Sequence, residues 1–188
     1  MPQSNDRRKR KKLLLAGGVT GVVVTIFMVL ASGYMINVTN TDTFCVTCHS
    51  MNPFRQSWLA SVHGGNNPQG VVAQCVDCHL PHGNLVEYVA AKAYTGTRDI
   101  VMNMIIDPYT YDWEERRKFR ESYTYDRSCK KCHMKLLAPK MGLKAILAHR
   151  EYQRKDSKLR CVKCHENVGH KDMMHFVNQY FNRVPNSN

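Results

Sequence analysis

The eight cysteines constrain this chain more than anything else in it, because all of them fall in four copies of one pattern: CVTCH at Cys45–His49, CVDCH at Cys75–His79, CKKCH at Cys129–His133 and CVKCH at Cys161–His165. In a Cys-x-x-Cys-His run two thiols add across the vinyl groups of a haem as thioethers, and the adjacent histidine lies under the iron as an axial ligand. Disulfide frameworks and zinc scaffolds also consume cysteines, but neither needs a histidine after every second one. The pattern predicts four covalent c-type haems, on Cys45 and Cys48, Cys75 and Cys78, Cys129 and Cys132, and Cys161 and Cys164.

Four macrocycles dictate the fold class. After position 36 the 188-residue chain has roughly 150 residues with which to surround four large apolar rings. The haems must then form much of the core. The expected fold is mainly α, with short helices and loops packed around four haems, and the segment is not expected to fold without them.

Leu13 to Ile36 is a run of 24 residues without a charge, long enough to cross a hydrocarbon core as a helix. A cleaved signal peptide is the competing reading, since VLASG offers small residues near the end of the run. A run this long exceeds an ordinary signal core and favours an uncleaved anchor. The basic run Arg7–Lys12 before it belongs on the cytoplasmic side. The expected organisation is a cytoplasmic basic segment at 1–12, a single transmembrane helix at 13–36 and a tetrahaem domain at 37–188, on the periplasmic side of a bacterial cytoplasmic membrane.

The formal charge of +12 invites a nucleic-acid reading, but six of the positive charges are in that one run, and Asp6 removes one. The remainder has 21 basic and 14 acidic residues, and about eight haem propionates would bring it close to neutral, with many lysines and arginines as propionate partners. Nucleic acid is therefore not expected as a partner.

Motif starts are separated by 30, 54 and 32 residues, which reads as two pairs and suggests an internal duplication. His63 lies 14 residues after His49 and His149 lies 16 after His133, each between the two motifs of its pair. Five of the nine histidines lie outside the motifs: His63, His82, His149, His170 and His175. If the first haem is exceptional, His79, His133 and His165 need three distal partners, and His63, His149 and His170 are the natural set. The other reading for each is a surface or propionate-bonded histidine. His82 is too close to its own motif to fold back over the same iron, and His175 sits in a polar tail. Two residues past His49, Met51 offers the first haem a second possible ligand.

From Asn84 to Ile105 apolar residues such as Leu85, Val89 and Ala93 recur at helical spacing. On a continuous helix Lys92 and Asp99, seven apart, lie on nearly the same face. A propionate-paired lysine and a solvated aspartate are the simpler alternative.

Together CVTCHSMNP, SVHGG, CVDCHLPHGN, AAKAY and CVKCHENVGH, behind an anchor helix, resemble the NapC/NirT/NrfH family of membrane-anchored tetrahaem quinol dehydrogenases over essentially the whole chain. The resemblance implies oxidation of menaquinol at the membrane and passage of electrons through the haems to a periplasmic reductase, within a larger hetero-oligomer. The methionine after the first motif is most similar to the NrfH branch, whose partner is the ammonia-forming, multihaem cytochrome c nitrite reductase. A NapC-like donor to periplasmic nitrate reductase or another terminal reductase is the alternative. The resemblance further implies that Met51 takes the axial position on the first haem, with His49 as the alternative ligand. It also places a quinol-binding lysine at Lys92, with Asp99 as its partner, and allows a residue of the partner protein to complete one haem. Two other readings are a self-contained multihaem reductase and a passive electron wire.

Overall fold

The computed structural model describes residues 3–181, with side chains from Arg7 onward. The first two residues of the basic segment and the last seven of the expected haem domain lie outside the described residues. The chain divides between Asn40 and Thr41 into two units.

The first unit is helix α1, Gln3–Val38. Its stretch Arg7–Val38 is long and apolar enough to cross a membrane. A helix closes its backbone hydrogen bonds within itself, the condition for existing in hydrocarbon. Its hydroxyls are also satisfied locally: Thr25 Oγ1 donates to the Gly21 carbonyl at 2.9 Å and Ser32 Oγ to that of Met28 at 2.7 Å.

The second unit strings together short helices: α2 (Asp42–Cys45), a 3-10 turn (His49–Met51), α3 (Asn52–Leu59), α4 (Cys75–His79), α5 (Leu85–Ile105), α6 (Trp113–Arg117), a second 3-10 turn (Arg120–Ser122), α7 (Asp126–Cys132), α8 (Leu143–Tyr152), α9 (Cys161–Cys164) and α10 (Met173–Tyr180). Among the described residues there is no strand, only an isolated antiparallel bridge between Gly64 and Val72. The architecture is mainly α, as the sequence predicts. In three of the motifs both cysteines lie within a short helix, α4, α7 or α9. Cysteines three apart on such a helix face the same side, the presentation a pair of thioethers needs.

The protein core is thin. Among the described residues its buried hydrophobic side chains are Trp58, Leu80, Val177 and Phe181. Trp58, Val177 and Phe181 lie where α10 packs on α3, while Leu80 follows α4, its carbonyl accepting from Ser128 Oγ at 2.8 Å. Ser57 Oγ donates to the Lys171 carbonyl at 2.9 Å, and Lys171 N donates back to the Ser57 carbonyl at 3.2 Å. The Phe181 ring stacks on Trp113 at 6.2 Å, and Phe54 meets Trp113 edge-on at 5.0 Å. A cluster this small cannot offset the conformational entropy of the unit, so the fold class requires haem as part of the core.

Two local devices position the site. Asn84 caps α5 by accepting from Val86 N at 2.8 Å, and the helix continues unbroken through Gly96. The loop after α3 is held by Asn67 Nδ2, which donates to the carbonyls of Val62 and Val71, each at 2.7 Å. Gly64 is required there: a Cβ on it would sit 2.0 Å from the Trp58 carbonyl oxygen. The loop presents His63, whose carbonyl accepts from Ala73 N at 2.9 Å.

Candidate haem and quinol site

Each of the three expected distal histidines faces one motif histidine. Ring centres are 6.0 Å apart for His63 and His133, 6.1 Å for His79 and His170, and 6.0 Å for His149 and His165. Two imidazoles bound to opposite sides of one metal atom, each by a nitrogen at about 2 Å, have ring centres about 6 Å apart. All three pairs fit a shared iron.

The hydrogen bonds on the other ring nitrogens agree with that fit. A carbonyl oxygen only accepts, so Nδ1–H donates from His79 to Tyr123 O at 2.8 Å, from His63 to Val168 O at 2.9 Å and from His170 to Phe54 O at 3.2 Å. This fixes the tautomer and leaves Nε2 with its lone pair, the arrangement common to ligating histidines. His149 Nδ1 is buried without a hydrogen-bond partner. His82 differs: its Nε2–H donates to the Val76 carbonyl at 3.2 Å, beside Asp77 Oδ1 at 3.7 Å. His175 is exposed, with its ring against Phe176 at 5.5 Å.

The pairing is not local to each half. His63 faces the third motif and His170 the second, whereas His149 faces the fourth motif within its own half. Equivalent spacing in sequence does not translate into equivalent use.

At the first motif His49 is exposed and Met51 half-buried. Between them Ser50, only 4 % exposed, donates Oγ–H to Asn103 Oδ1 on α5 at 2.7 Å. His49 meets no second histidine ring among the described residues.

Lys92 and Asp99 stand on α5. The pKa of the Cys45 thiol is lowered chiefly by Cys75 beside it, with Lys92 acting in the same direction and burial, Asp42 and Asp99 against it. Burial lowers the Lys92 ammonium below the ordinary lysine value, with Cys45 acting the other way. Burial raises the Asp99 carboxyl, opposed by Arg98 at 3.5 Å and by His79. With 67 % of its side chain exposed, solvent keeps that rise modest.

The motifs are neighbours in chain order. Cys45 of the first lies near Cys75 of the second, Tyr125 N just before the third donates to the Cys78 carbonyl of the second at 3.3 Å, and Cys161 N of the fourth donates to Asp126 Oδ1, three residues before the third, at 3.2 Å. No group of three or more His, Cys, Asp or Glu that could hold a metal ion is found among the described residues.

Several arginines tie distant segments together. Arg160 Nε donates to Asp126 Oδ1 at 3.1 Å, and the same oxygen accepts from Cys161 N at 3.2 Å, joining the third motif to the fourth. Arg120 Nε donates to Val162 O at 2.9 Å, and Arg127 pairs with Glu87. Sequence reasoning missed Ser50, Asn103 and Asp126. Each acts across tens of residues through polar contacts, which leave no periodic signal.

The sequence model of the NapC/NirT cytochrome c family, N-terminal region, matches residues 7–175. The chain is 34% identical to the tetraheme c-type cytochrome CymA of Shewanella oneidensis, a match covering 85% of this chain and 91% of that protein. It is 29% identical to the cytochrome c nitrite reductase subunit NrfH of Nitratidesulfovibrio vulgaris, covering 91% of each, and 28% identical to the cytochrome c-type protein NapC of Escherichia coli K12, covering 85% and 80%. No solved structure matches. A family match over nearly the whole chain, joined to four haem motifs and three opposed histidine pairs, means that the chain belongs to the NapC/NirT family of haem-bearing c-type cytochromes.

Proposed function

We propose that this protein is a membrane-anchored tetrahaem quinol dehydrogenase that oxidises menaquinol beside its first haem motif and delivers the electrons to a periplasmic reductase. The observation that carries the reading is that Lys92 and Asp99 share one face of α5, the helix tied to the first motif by the bond from Ser50 Oγ to Asn103 Oδ1 at 2.7 Å. Menaquinol comes from the membrane lipid in which α1 is anchored. The basic run Arg7–Lys12 keeps the start of α1 in the cytoplasm, and the haem unit stands on the outer side.

In this reading His79 and His170, His133 and His63, and His165 and His149 would hold three irons, and Met51, with His49 as the alternative, would hold the iron at the first motif. A thioether stabilises ferrous iron relative to imidazole, so Met51 raises the potential at the point of entry. When bound, the haems take the two electrons of quinol one at a time and pass them on. Lys92 donates to a ring oxygen and orients the headgroup, and Asp99 accepts a proton from the quinol hydroxyl. Burial moves the Asp99 carboxyl toward the working pH, the direction a general base needs.

The nitrite reductase partner of the NrfH branch is supported by the methionine two residues past His49. Similarity to CymA and NapC at comparable identity favours a second reading, delivery to periplasmic nitrate reductase or another terminal reductase.

The variant Lys92→Leu tests the quinol site. It keeps most of the apolar stem and removes the cation. Haem content and reduction by dithionite should be unchanged, while oxidation of a menaquinol analogue should fall about a hundredfold. A wild-type rate would leave a passive electron wire.

A further inference from the structure

The positive charge of the haem unit is concentrated in one stretch. Residues 127–163, which carry the third motif and the first cysteine of the fourth, have twelve lysines and arginines against two acidic residues, a net of +10, whereas residues 41–126 have seven against ten, a net of −3. Some of these cations are internal ties, such as Lys131 to Asp77 at 3.3 Å and Arg160 to Asp126 at 3.1 Å. Others are not. Lys135, Lys140, Lys144, Lys155, Lys158 and Lys163 are exposed and form no ion pair among the described residues. The four propionates of two haems would reduce the stretch only to about +6.

Its place in the electron path gives that charge a purpose. The motifs neighbour one another in chain order: Cys45 of the first lies near Cys75 of the second, Tyr125 N and Lys131 of the third-motif segment bond to the Cys78 carbonyl and to Asp77 of the second, each at 3.3 Å, and Cys161 N of the fourth donates to Asp126 Oδ1 beside the third at 3.2 Å. If electrons enter at the first motif, they leave at the third and fourth, beneath the cationic stretch. An oriented positive patch around an electron exit raises encounter rates with a negative partner and sets its orientation. A lipid surface would attract the same charge, but quinol arrives at the other end of the motif series, beside Lys92 in the stretch of net negative charge.

We propose that the exposed lysines of residues 127–163 form the electron-exit docking surface and that it takes an acidic redox protein, one with carboxylates ringed around its own cofactor. The proposal rests on delivery of electrons to a partner protein. In the transfer one ferrous haem is oxidised and one acceptor cofactor of higher potential is reduced.

The test uses the full-length, haem-loaded protein in nanodiscs of neutral phosphatidylcholine, reduced with dithionite, freed of excess and mixed in a stopped-flow instrument with an acidic b-type cytochrome or a basic c-type cytochrome, both of higher potential. Transfer to the acidic probe should be the faster at low salt and should fall about tenfold between ~20 and ~300 mM salt. Replacing four cations together, Lys135→Glu, Lys144→Glu, Lys155→Glu and Lys158→Glu, should lower the low-salt rate at least about tenfold and flatten its salt dependence. Haem content and menaquinol oxidation should stay unchanged. A wild-type rate from this variant, or a faster wild-type reaction with the basic probe, overturns the proposal. So does an effect of the variant confined to menaquinol oxidation in nanodiscs containing anionic phosphatidylglycerol, which would assign the lysines to the lipid surface. Because dithionite bypasses Lys92, failure here is separable from failure of the quinol site.

Discussion

At the first motif one buried hydroxyl governs how two neighbouring side chains are presented. Ser50 separates His49 from Met51, and its bond to Asn103 at 2.7 Å fixes the turn that carries both. Asn103→Leu would leave that hydroxyl buried without an acceptor, at a cost of about 1–3 kcal/mol. We expect it also to change the spectrum and potential of one haem, as the turn relaxes and His49 competes with Met51. Asn103→Asp keeps an acceptor and should restore both; an Asn103→Leu protein with every haem signal intact would detach the turn from ligand choice. Lys92 and Asp99 make a second residue-scale prediction. The carboxyl must be ionised to accept a proton, so menaquinol oxidation should rise with pH through an Asp99 pKa that lies above the usual carboxylate value. Lys92 must stay protonated, so the rate should fall again through a pKa below the usual lysine value. Asp99→Asn should abolish the acid limb and Lys92→Leu the alkaline one, measured as rate against pH with haem content held equal.

Helix α5 was legible in the sequence because its signal is local, apolar residues three and four apart between Asn84 and Ile105. The apolar helix α1 is legible for the same reason. Helix α10 is not, since a stretch that reads as a polar tail hides Val177, fully buried, and Phe181, 4 % exposed, against α3. The bonds that dock it join Ser57 to Lys171, 114 residues apart, and no window of sequence contains both. Candidate ligands could be counted from histidine inventory, yet their partners could not, because which rings meet depends on how loops return across the unit. The segment SVHGG shows the difference. The sequence supplies the glycines, but only the 2.0 Å approach of a hypothetical Cβ to the Trp58 carbonyl explains Gly64. Gly64→Ala should therefore cost about 1–3 kcal/mol and displace His63, converting the haem of the third motif from low to high spin by electron paramagnetic resonance. A helix-scale control is Asn84→Ala, which removes the α5 cap at a cost of about 1 kcal/mol and should leave that haem unaffected.

The whole haem unit is interlocked rather than assembled from two independent halves. His63 reaches from the first half to His133 and His170 reaches from the second to His79, while Asp126 and Arg160 tie the third motif to the fourth. With so few buried hydrophobic side chains, shared irons would supply the long-range ties that an ordinary protein core supplies elsewhere, and the halves could not hold their haems apart. Independent halves would pair His63 with the second motif, next to it in sequence; the observed ring geometry pairs it with the third. A double-variant cycle distinguishes the two. His63→Ala should convert one haem to high spin in the otherwise intact protein. It should add no change where the third haem cannot attach, in Cys129→Ala with Cys132→Ala, and should keep its full effect where the second cannot, in Cys75→Ala with Cys78→Ala. His170→Ala should behave the opposite way, silent without the second haem and fully effective without the third. If each histidine instead falls silent with a haem of its own half, the halves are independent and the interlocked unit is wrong.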